Sequence, residues 1–352
     1  MSKILNQKNY KQSILLMKSD ERILEILHVP NKPSILKRTQ SSCSACCISC
    51  VTPYCMKYLP EEITPQSKYF NTFPVDVNDN VCPTSAISWD KESLTPSINE
   101  KQCINCGLCA SRCPVGAIYL TSKCAVVNFD INLVEKEDFT EETYSLHINQ
   151  IQNLLKAKHI GQMLKESEKQ MATIYQKIAS INTDAQFPNL FTRNLLIQTG
   201  NRCFIRRRGD VYLRMDVIME LSDSVAIIEV EFNKDSLESP RAILDDIAVL
   251  VSRYGINIEL IKPFIVCLEF PNIRTEYWRV IKDIANVLKI NINSLSIGVL
   301  ILFVWNFKKI NFSQIPFYAD IDKASIKQEV QTAIGFDLNL TSENCAILEP
   351  KK

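Results

Sequence analysis

Glycine is scarce. The 352-residue chain holds 8, about a third of the share an average protein carries (~7%). So few glycines leave little room for phosphate-cradling loops, and neither G-x-G-x-x-G nor G-x-x-x-x-G-K-[ST] occurs. Histidine is scarcer still: His28, His147 and His159 are scattered and H-E-x-x-H is absent, which argues against a zinc hydrolase built on imidazoles. The longest apolar stretch, Ile297–Trp305, falls far short of the ~20 residues of a membrane span. The first residues, MSKILNQKNYKQSILLMKSDERILEIL, are charged throughout and lack the apolar core of a secretion signal. A net charge of +1 excludes a polybasic chain but leaves room for local basic patches.

What is present is ordinary globular material, 46% hydrophobic and 22% charged, long enough for two or three domains. The exception is cysteine. Of 14 Cys, ten fall between Cys43 and Cys113 and form the framework of one region. Disulfide scaffolds are mostly short secreted chains. Without a secretion signal, metal-binding thiols in a reducing, cytoplasmic setting are the better reading, with no membrane partner.

Along the chain, Ile14, Leu15, Leu16, Ile23, Leu24, Ile26 and Leu27 predict an amphipathic N-terminal helix, followed by a basic, proline-containing stretch to Ser42. The cysteine block ends in a strand-like segment at 117–129. The acidic run VEKEDFTEE (134–142) reads as a solvated linker. Apolar residues from Ile148 to Ile178 recur at helical spacing, and a second helix is expected near 187–198. Three strands follow in NRCFIRRRG, DVYLRMDVIMEL and SVAIIEVEFN. Ser239 and Pro240 open a helix through Tyr254. PFIVCLEF reads as a strand, TEYWRVIKDIANVLKI as a helix and SLSIGVLILFVW as a final buried strand. The last forty residues look irregular apart from a short helix at 324–333. The expected division is a helical, basic extension at 1–42, a cysteine domain at 43–130, a linker at 131–145, a layered domain at 146–310 and a tail at 311–352.

Cys103, Cys106, Cys109 and Cys113-Pro114 spell C-x2-C-x2-C-x3-C-P, an iron–sulfur spacing. So tight a loop points three thiolates into one pocket, where they can hold three irons of a cubane. The fourth leads into a helix, faces away and serves another cluster. A partner half exists, because Cys82-Pro83-Thr84-Ser85-Ala86-Ile87 repeats Cys113-Pro114-Val115-Gly116-Ala117-Ile118. Residues 43–128 thus resemble two-cluster bacterial-type ferredoxins. That resemblance implies an α+β module with two [4Fe–4S] clusters and crossed ligation. Cys82, Cys103, Cys106 and Cys109 would hold one cluster. Cys113 would join Cys47, Cys50 and Cys55 at the other, with Cys43 and Cys46 as alternates. The sequence departs from the family in 26 residues inserted between Cys55 and Cys82. Cys124, Cys203, Cys267 and Cys345 read as ordinary thiols.

The second half carries acids in apolar strands. Asp216 lies in RMDVIMEL and Glu229-Val230-Glu231 in AIIEVEFN. Strand residues i and i+2 share a face, so Glu229 and Glu231 project together, and a hairpin would bring Asp216 beside them. Such acids are costly unless paired or holding a cation, and clustered carboxylates suit Mg²⁺ or Mn²⁺. Residues 146–306 resemble the PD-(D/E)xK nuclease superfamily in element order. Asp216 stands at the family's Asp, Glu229 at its (D/E), and Glu231 where Lys is usual. The resemblance implies an α/β domain with a mixed sheet and a restriction endonuclease-like αβββαβ core. It further implies a catalytic, metal-binding set of Asp216, Glu229 and Glu231. Lys234 is a candidate for the missing ammonium, and Glu166 or Glu168 for a further acid. Arg206, Arg207 and Arg208 are candidate phosphate contacts. The two resemblances together imply a nuclease nicking or cleaving DNA under redox control, in defence against foreign DNA. The competing readings are an electron-transfer protein whose C-terminal half docks a redox partner, and a non-catalytic nucleic-acid-binding redox sensor.

Overall fold

The computed structural model describes residues 54–90, 95–112, 118–120, 125–127, 167–210, 212–232, 237–306, 308–313, 326–335 and 346–350, and the short strands at 15–17 and 24–25. The chain divides into two compact units. The first comprises 1–57 and 80–166, the second 58–79 and 167–352.

In the first unit, β1 (Leu15–Met17) pairs antiparallel with β2 (Leu24–Glu25). The N-terminal helix expected here is therefore corrected to strands. Its apolar residues come as two blocks separated by a polar Lys18–Arg22 stretch, which suits a hairpin better than one helical face. Each Cys-Pro-x-x-Ala-Ile segment runs into a two-stranded hairpin that begins at its Ile. Ile87 opens β3 (Ile87–Asp90), which pairs with β4 (Thr95–Ile98). Ile118 opens β5 (Ile118–Leu120), which pairs with β6 (Ala125–Val127). The strand-like segment expected over 117–129 thus holds two strands, on either side of the polar Thr121–Lys123. Between β4 and β5 the cysteine loop leads into the short helix α1 (Leu108–Arg112).

Residues 58–79, most of the insert between Cys55 and Cys82, group with the second unit rather than with the 43–130 region around them. The insert has a closed stem in the first unit: Lys57 bridges Asn80 antiparallel, and the Val81 N–H donates to the Met56 carbonyl at 2.9 Å. Cys55 and Cys82 therefore flank one paired stem, although 26 residues separate them in sequence.

The second unit is built on a five-stranded sheet in the order β11-β10-β9-β8-β7. Its elements are α2 (Ser167–Ser180), α3 (Phe187–Gln198), β7 (Arg202–Ile205), β8 (Val217–Glu220), β9 (Val225–Glu231), α4 (Ser239–Tyr254), β10 (Ile261–Cys267), α5 (Glu276–Leu288), β11 (Asn293–Ser296), α6 (Ile297–Trp305) and α7 (Ile326–Ile334). β7, β8 and β9 are antiparallel neighbours, whereas β10 runs parallel to β9 and β11 parallel to β10. Helix, three strands, helix, strand is the order expected, in a mixed sheet. The middle strand is shorter than DVYLRMDVIMEL, because the Asp210 carboxylate accepts the N–H groups of Tyr212 and Leu213 and holds that stretch as a loop.

The final apolar run is corrected. Only Asn293–Ser296 is strand, and Ile297–Trp305 is a helix buried on every side. An apolar run carries no period to separate the two states. Ser296 decides it, its hydroxyl accepting the Val299 N–H at 3.2 Å as an N-cap. The C-terminal residues are also part of the fold. Ser296 donates to the Ile347 carbonyl, and the Phe270 N–H donates to Ala346. A Cβ on Gly298 would stand 2.5 Å from the Ile347 side chain, so the close approach requires glycine there.

The insert completes the free edge of β7. Val75 bridges Arg206 antiparallel, the Asp76 N–H donates to Ile205, and the Arg207 N–H to Pro74. Phe70 and Phe73 pack on Phe204, with ring centroids 5.4 and 5.2 Å apart, and Phe70 also meets Tyr254. Backbone N–H groups of Gln66 and Ser67 donate to the Glu220 carboxylate. The Tyr58 hydroxyl donates to the Asn194 carbonyl, and the fully buried Arg193 guanidinium lies over the Tyr58 ring.

Candidate metal centres

In the first unit the loop before α1 is shaped by two left-handed residues, Asn105 (φ 64°) and Gly107 (φ 87°), which alternate with cysteines. Asn tolerates this region better than most residues, and Gly adopts it freely. The Asn99 carbonyl anchors the loop by accepting the Cys103 N–H at 3.0 Å. The Cys82 sulfur accepts the Ala86 N–H at 3.2 Å, and the N–H groups of Leu108 and Cys106 itself act on the Cys106 sulfur. Backbone N–H groups aimed at sulfur favour the thiolate, the form a metal takes.

Cys82, Cys103, Cys106 and Cys109 line one small cavity with Ile87, Ile98 and Leu108. Burial and then the charge of Cys82 push the Cys106 and Cys109 thiols well above the ordinary cysteine range. Cys106 and Cys109, buried so that ionisation is costly without a counter-charge, fit a cluster whose irons supply it. Cys55 also acts on Cys109. Arg112 of α1 donates to the carbonyls of Tyr54 (2.8 Å) and Lys57 (3.5 Å), on either side of Cys55 in sequence. Cys43, Cys46, Cys47, Cys50 and Cys113 lie outside the described residues.

In the second unit, Asp216 immediately precedes β8, whose first residue, Val217, pairs with Ile228, the neighbour of Glu229 on β9. The Asp216 carboxylate is held on three sides. Asn189 of α3 donates to Oδ1 at 2.8 Å, the Val230 N–H donates to Oδ2 at 3.0 Å, and the Arg206 guanidinium lies 3.9 Å from Oδ1. Its pKa is raised by burial in spite of these contacts. Burial, then the charges of Asp216, Asp246 and Glu231, push Glu229 up to about 9. Asp246 of α4 is pushed up to about 7 by burial and then by Asp216. The three expected acids are therefore electrostatic neighbours, and Asp246 joins them. Ser239 donates to Glu231 at 3.4 Å.

Asp246 is the residue sequence reasoning missed. Its signal was an acid on the apolar stripe of Ile243, Ile247 and Leu250, a position that faces the sheet. It is 1% exposed. Of the three arginines, Arg206 turns to Asp216 and also donates to the Leu213 carbonyl, while Arg208 pairs with Asp184 at the surface and Arg207 is exposed. Lys234 and Glu166 lie outside the described residues, as does the side chain of Glu168. Cys203 and Cys267 are buried, and Cys267 is pushed up to about 12 by burial.

Among the described residues no three His, Cys, Asp or Glu side chains are gathered round one point that could hold a single ion. A cubane does not ask for that, since each of its irons takes its own thiolate. Mg²⁺ commonly takes only one or two carboxylates, with water and substrate phosphate completing its shell. No helix among the described residues is long and apolar enough to cross a membrane.

Residues 96–119, which include Cys103, Cys106, Cys109 and Cys113, match the family model for the 4Fe-4S binding domain. Over 45 residues, 13% of this chain, the sequence is 40% identical to an uncharacterized ferredoxin of Methanocaldococcus jannaschii. The matched segment spans 28% of that relative's length. No solved structure matches the chain. The first unit therefore carries a ferredoxin-like, [4Fe–4S]-binding module.

Proposed function

We propose that this chain joins a two-cluster iron–sulfur module to a Mg²⁺-dependent nuclease domain of the PD-(D/E)xK class, which nicks or cleaves DNA under redox control. The observation that carries the hydrolytic half is the docking of Asp216, at the start of β8, on β9, where the Val230 N–H beside Glu229 donates to its carboxylate at 3.0 Å; Asp216 and Asp246 both act on Glu229. The element order and mixed sheet agree with that class. The loop leading to Asp216 adds Arg207 and Arg208, Tyr212 at 82% exposure, and Arg214, a basic and aromatic surface of the kind that meets phosphates and bases.

Bound Mg²⁺ would supply Lewis-acid activation of water and charge stabilisation at the phosphoryl group. The chain's own residues do the rest. Asn189 and the Val230 N–H fix the Asp216 carboxylate, Glu229 presents an oxygen beside it, and Arg206 offers positive charge to the scissile phosphate from the end of β7. Cys82, Cys103, Cys106 and Cys109 would hold one cluster. Cys113 with Cys47, Cys50 and Cys55 would hold the second. Such clusters supply one-electron transfer, and a redox partner protein would load or drain them.

The test is plasmid cleavage by the full chain with Mg²⁺ or Mn²⁺, on oxidised and on dithionite-reduced protein under anaerobic conditions. Cleavage is expected in the wild type and lost in Glu229→Gln. Equal rates in both redox states would reject redox control and leave the nuclease standing. Wild-type protein that cuts neither duplex nor single-stranded DNA with either metal would sink the hydrolytic reading.

A further inference from the structure

An exposed tyrosine is ordinary by itself, since large side chains scattered singly over a surface need no explanation. What sets Tyr212 apart is how firmly it is held in the open. It is 82% exposed, against 40% for Tyr69, the other exposed aromatic among the described residues. Yet its backbone is engaged on both sides. The Tyr212 N–H donates to the Asp210 carboxylate at 3.0 Å, and the Tyr212 carbonyl accepts from the Arg253 guanidinium of α4 at 3.2 Å. The next residue is tied as well. The Leu213 N–H donates to the same carboxylate, its carbonyl accepts from Arg206, and its side chain is buried. Arg206 also donates to the Asp210 carbonyl. Three charged side chains thus fix one short stretch of surface backbone and leave its ring in water. Two side-chain torsions are then nearly all the freedom Tyr212 has left, so little entropy is lost when a ligand covers it.

The charge beside the ring has one sign in excess. Arg207, Arg208 and Arg214 are exposed on the same stretch of chain, and Arg253 is exposed where it meets it. The acids that face them are Asp184, paired with Arg208 at 2.6 Å, and Asp245, paired with Arg214 at 3.4 Å. Both pairs are solvated and contribute little, so a phosphate can take their place. Asp210 is turned to the N–H groups of Tyr212 and Leu213. In a continuous duplex both faces of each base are stacked on neighbours, and a side-chain ring finds no free face. An unpaired base offers one, and aromatic side chains take it by stacking. Side chains that pry a duplex open are apolar wedges, a role the tyrosine hydroxyl does not suit.

We propose that Tyr212 is a stacking platform for single-stranded DNA, with an unpaired base lying on its ring and Arg207, Arg208, Arg214 and Arg253 taking the adjoining phosphates. The inference rests on the nuclease reading of the second unit and names the form of its substrate, an unpaired strand. Tyr212 stands four residues before Asp216, a chain reach of about 14 Å at most. Arg206, which ties the loop, also lies 3.9 Å from the Asp216 carboxylate. A base seated on Tyr212 is therefore held at short range from that acid. Because every base has a π-face, the platform tolerates any sequence.

The experiment is fluorescence anisotropy of labelled oligonucleotides with the full chain in EDTA, where no cleavage competes. Three ligands of equal length are compared: oligothymidylate, a strand of abasic sites that carries the same phosphates without bases, and a duplex. The wild type should bind oligothymidylate at least about tenfold more tightly than the abasic strand. Tyr212→Ala should lose most of that preference while binding the abasic strand and the duplex within about twofold of wild type, and Tyr212→Phe should keep it. Arg214→Ala should weaken all three ligands alike and flatten the dependence on salt. The Tyr212 side chain lies in solvent, so Tyr212→Ala should unfold at the wild-type temperature. A wild type that binds the abasic strand as tightly as oligothymidylate, or a Tyr212→Ala variant that keeps the preference or loses duplex binding equally, would overturn the inference. Plasmid cleavage without base-dependent binding would overturn this inference alone. Base-dependent binding by a protein that cuts no DNA would overturn the hydrolytic reading alone.

Discussion

Replacing Glu229 by Gln gives the sharpest test of the electrostatics, because it needs neither substrate nor metal. In the folded protein, burial and the neighbouring acids push Glu229 from 4.5 up to about 9. Because the folded value lies above the unfolded one, the folded state keeps a proton that the unfolded state has lost. Stability attributable to this group is therefore greatest below about pH 4.5 and falls as pH rises towards 9. One extra bound proton changes stability by about 1.4 kcal/mol per pH unit. Asp246, raised to about 7, titrates mostly below that value, so the interval from pH 7 to 9 belongs chiefly to Glu229. Two pH units there give an upper bound of about 3 kcal/mol, and relaxation and water entry reduce it to about 1–2 kcal/mol. The assay is urea unfolding of the full chain in Mg²⁺-free buffer at several pH values, taking the difference between Glu229→Gln and wild type so that common titrations cancel. The variant should gain on the wild type steadily between pH 7 and 9, and millimolar Mg²⁺ should narrow the gap at pH 8 by stabilising only the wild type. A difference that stays flat from pH 7 to 9, or a variant less stable at pH 8 than at pH 6 relative to wild type, would refute the reasoning.

Three further outcomes are expected. Anaerobically purified protein should contain about eight iron and eight sulfide per chain if both half-motifs are filled; about four would reject the second cluster, and stoichiometric zinc would reject the assignment of both. Glu220→Ala removes the acceptor of the Gln66 and Ser67 N–H groups, so amide exchange at 66–67 should rise and stability fall by about 1–3 kcal/mol; unchanged exchange would show that the Glu220 carboxylate does not hold the insert. Tyr212→Ala, at an 82% exposed position, should weaken single-stranded DNA binding by about 1–3 kcal/mol in an anisotropy titration without changing the unfolding temperature, and equal affinities would remove Tyr212 from the nucleic-acid surface.

How far the fold was legible depended on periodicity. α4 and α5 announced themselves through stripes such as Ile243, Ile247, Leu250 and Tyr277, Ile281, Ile284, with Pro240 in a first turn. β9 was legible because its apolar run ends in two same-face acids. Where the pattern had no period it failed. Ile297–Trp305 is apolar at every position and became a helix through one serine cap. At the N-terminus, the two apolar blocks have helical spacing, yet the polar stretch between them divides them into paired strands. The meeting of Cys103, Cys106 and Cys109 at one cavity was legible because their spacing is local, three cysteines at the junction of one loop and α1. Asp246 was not. It sits fifteen residues beyond Glu231, and only the packing of α4 on β9 and β10 sets it against the strand acids.

The insert was illegible for another reason, and it changes what counts as a domain here. Read along the chain, residues 56–81 interrupt a ferredoxin pattern. Read in space, the stem at Lys57 and Asn80 closes the interruption within the first unit, and the residues beyond it belong to the second. Closing a loop of this length adds little entropy cost, since each doubling of loop length costs only about 0.6 kcal/mol. What the second unit gains is larger in kind. β7 would otherwise be an open edge, and an open edge is a template for pairing with other chains. Val75 and its neighbours cap it, Phe70 and Phe73 extend the core over Phe204, and Tyr58 lies against the buried Arg193. The same segment is anchored at Arg206, whose guanidinium reaches Asp216. A cut through the acidic run at 131–145 would therefore not yield the second unit whole. It would uncover the β7 edge and the Arg193 ring contact, and would free the backbone of the arginine that balances the acids. The two units are joined at three points of the chain, after residues 57, 79 and 166, and two of those joints lie within three residues of a cysteine that faces the cluster question.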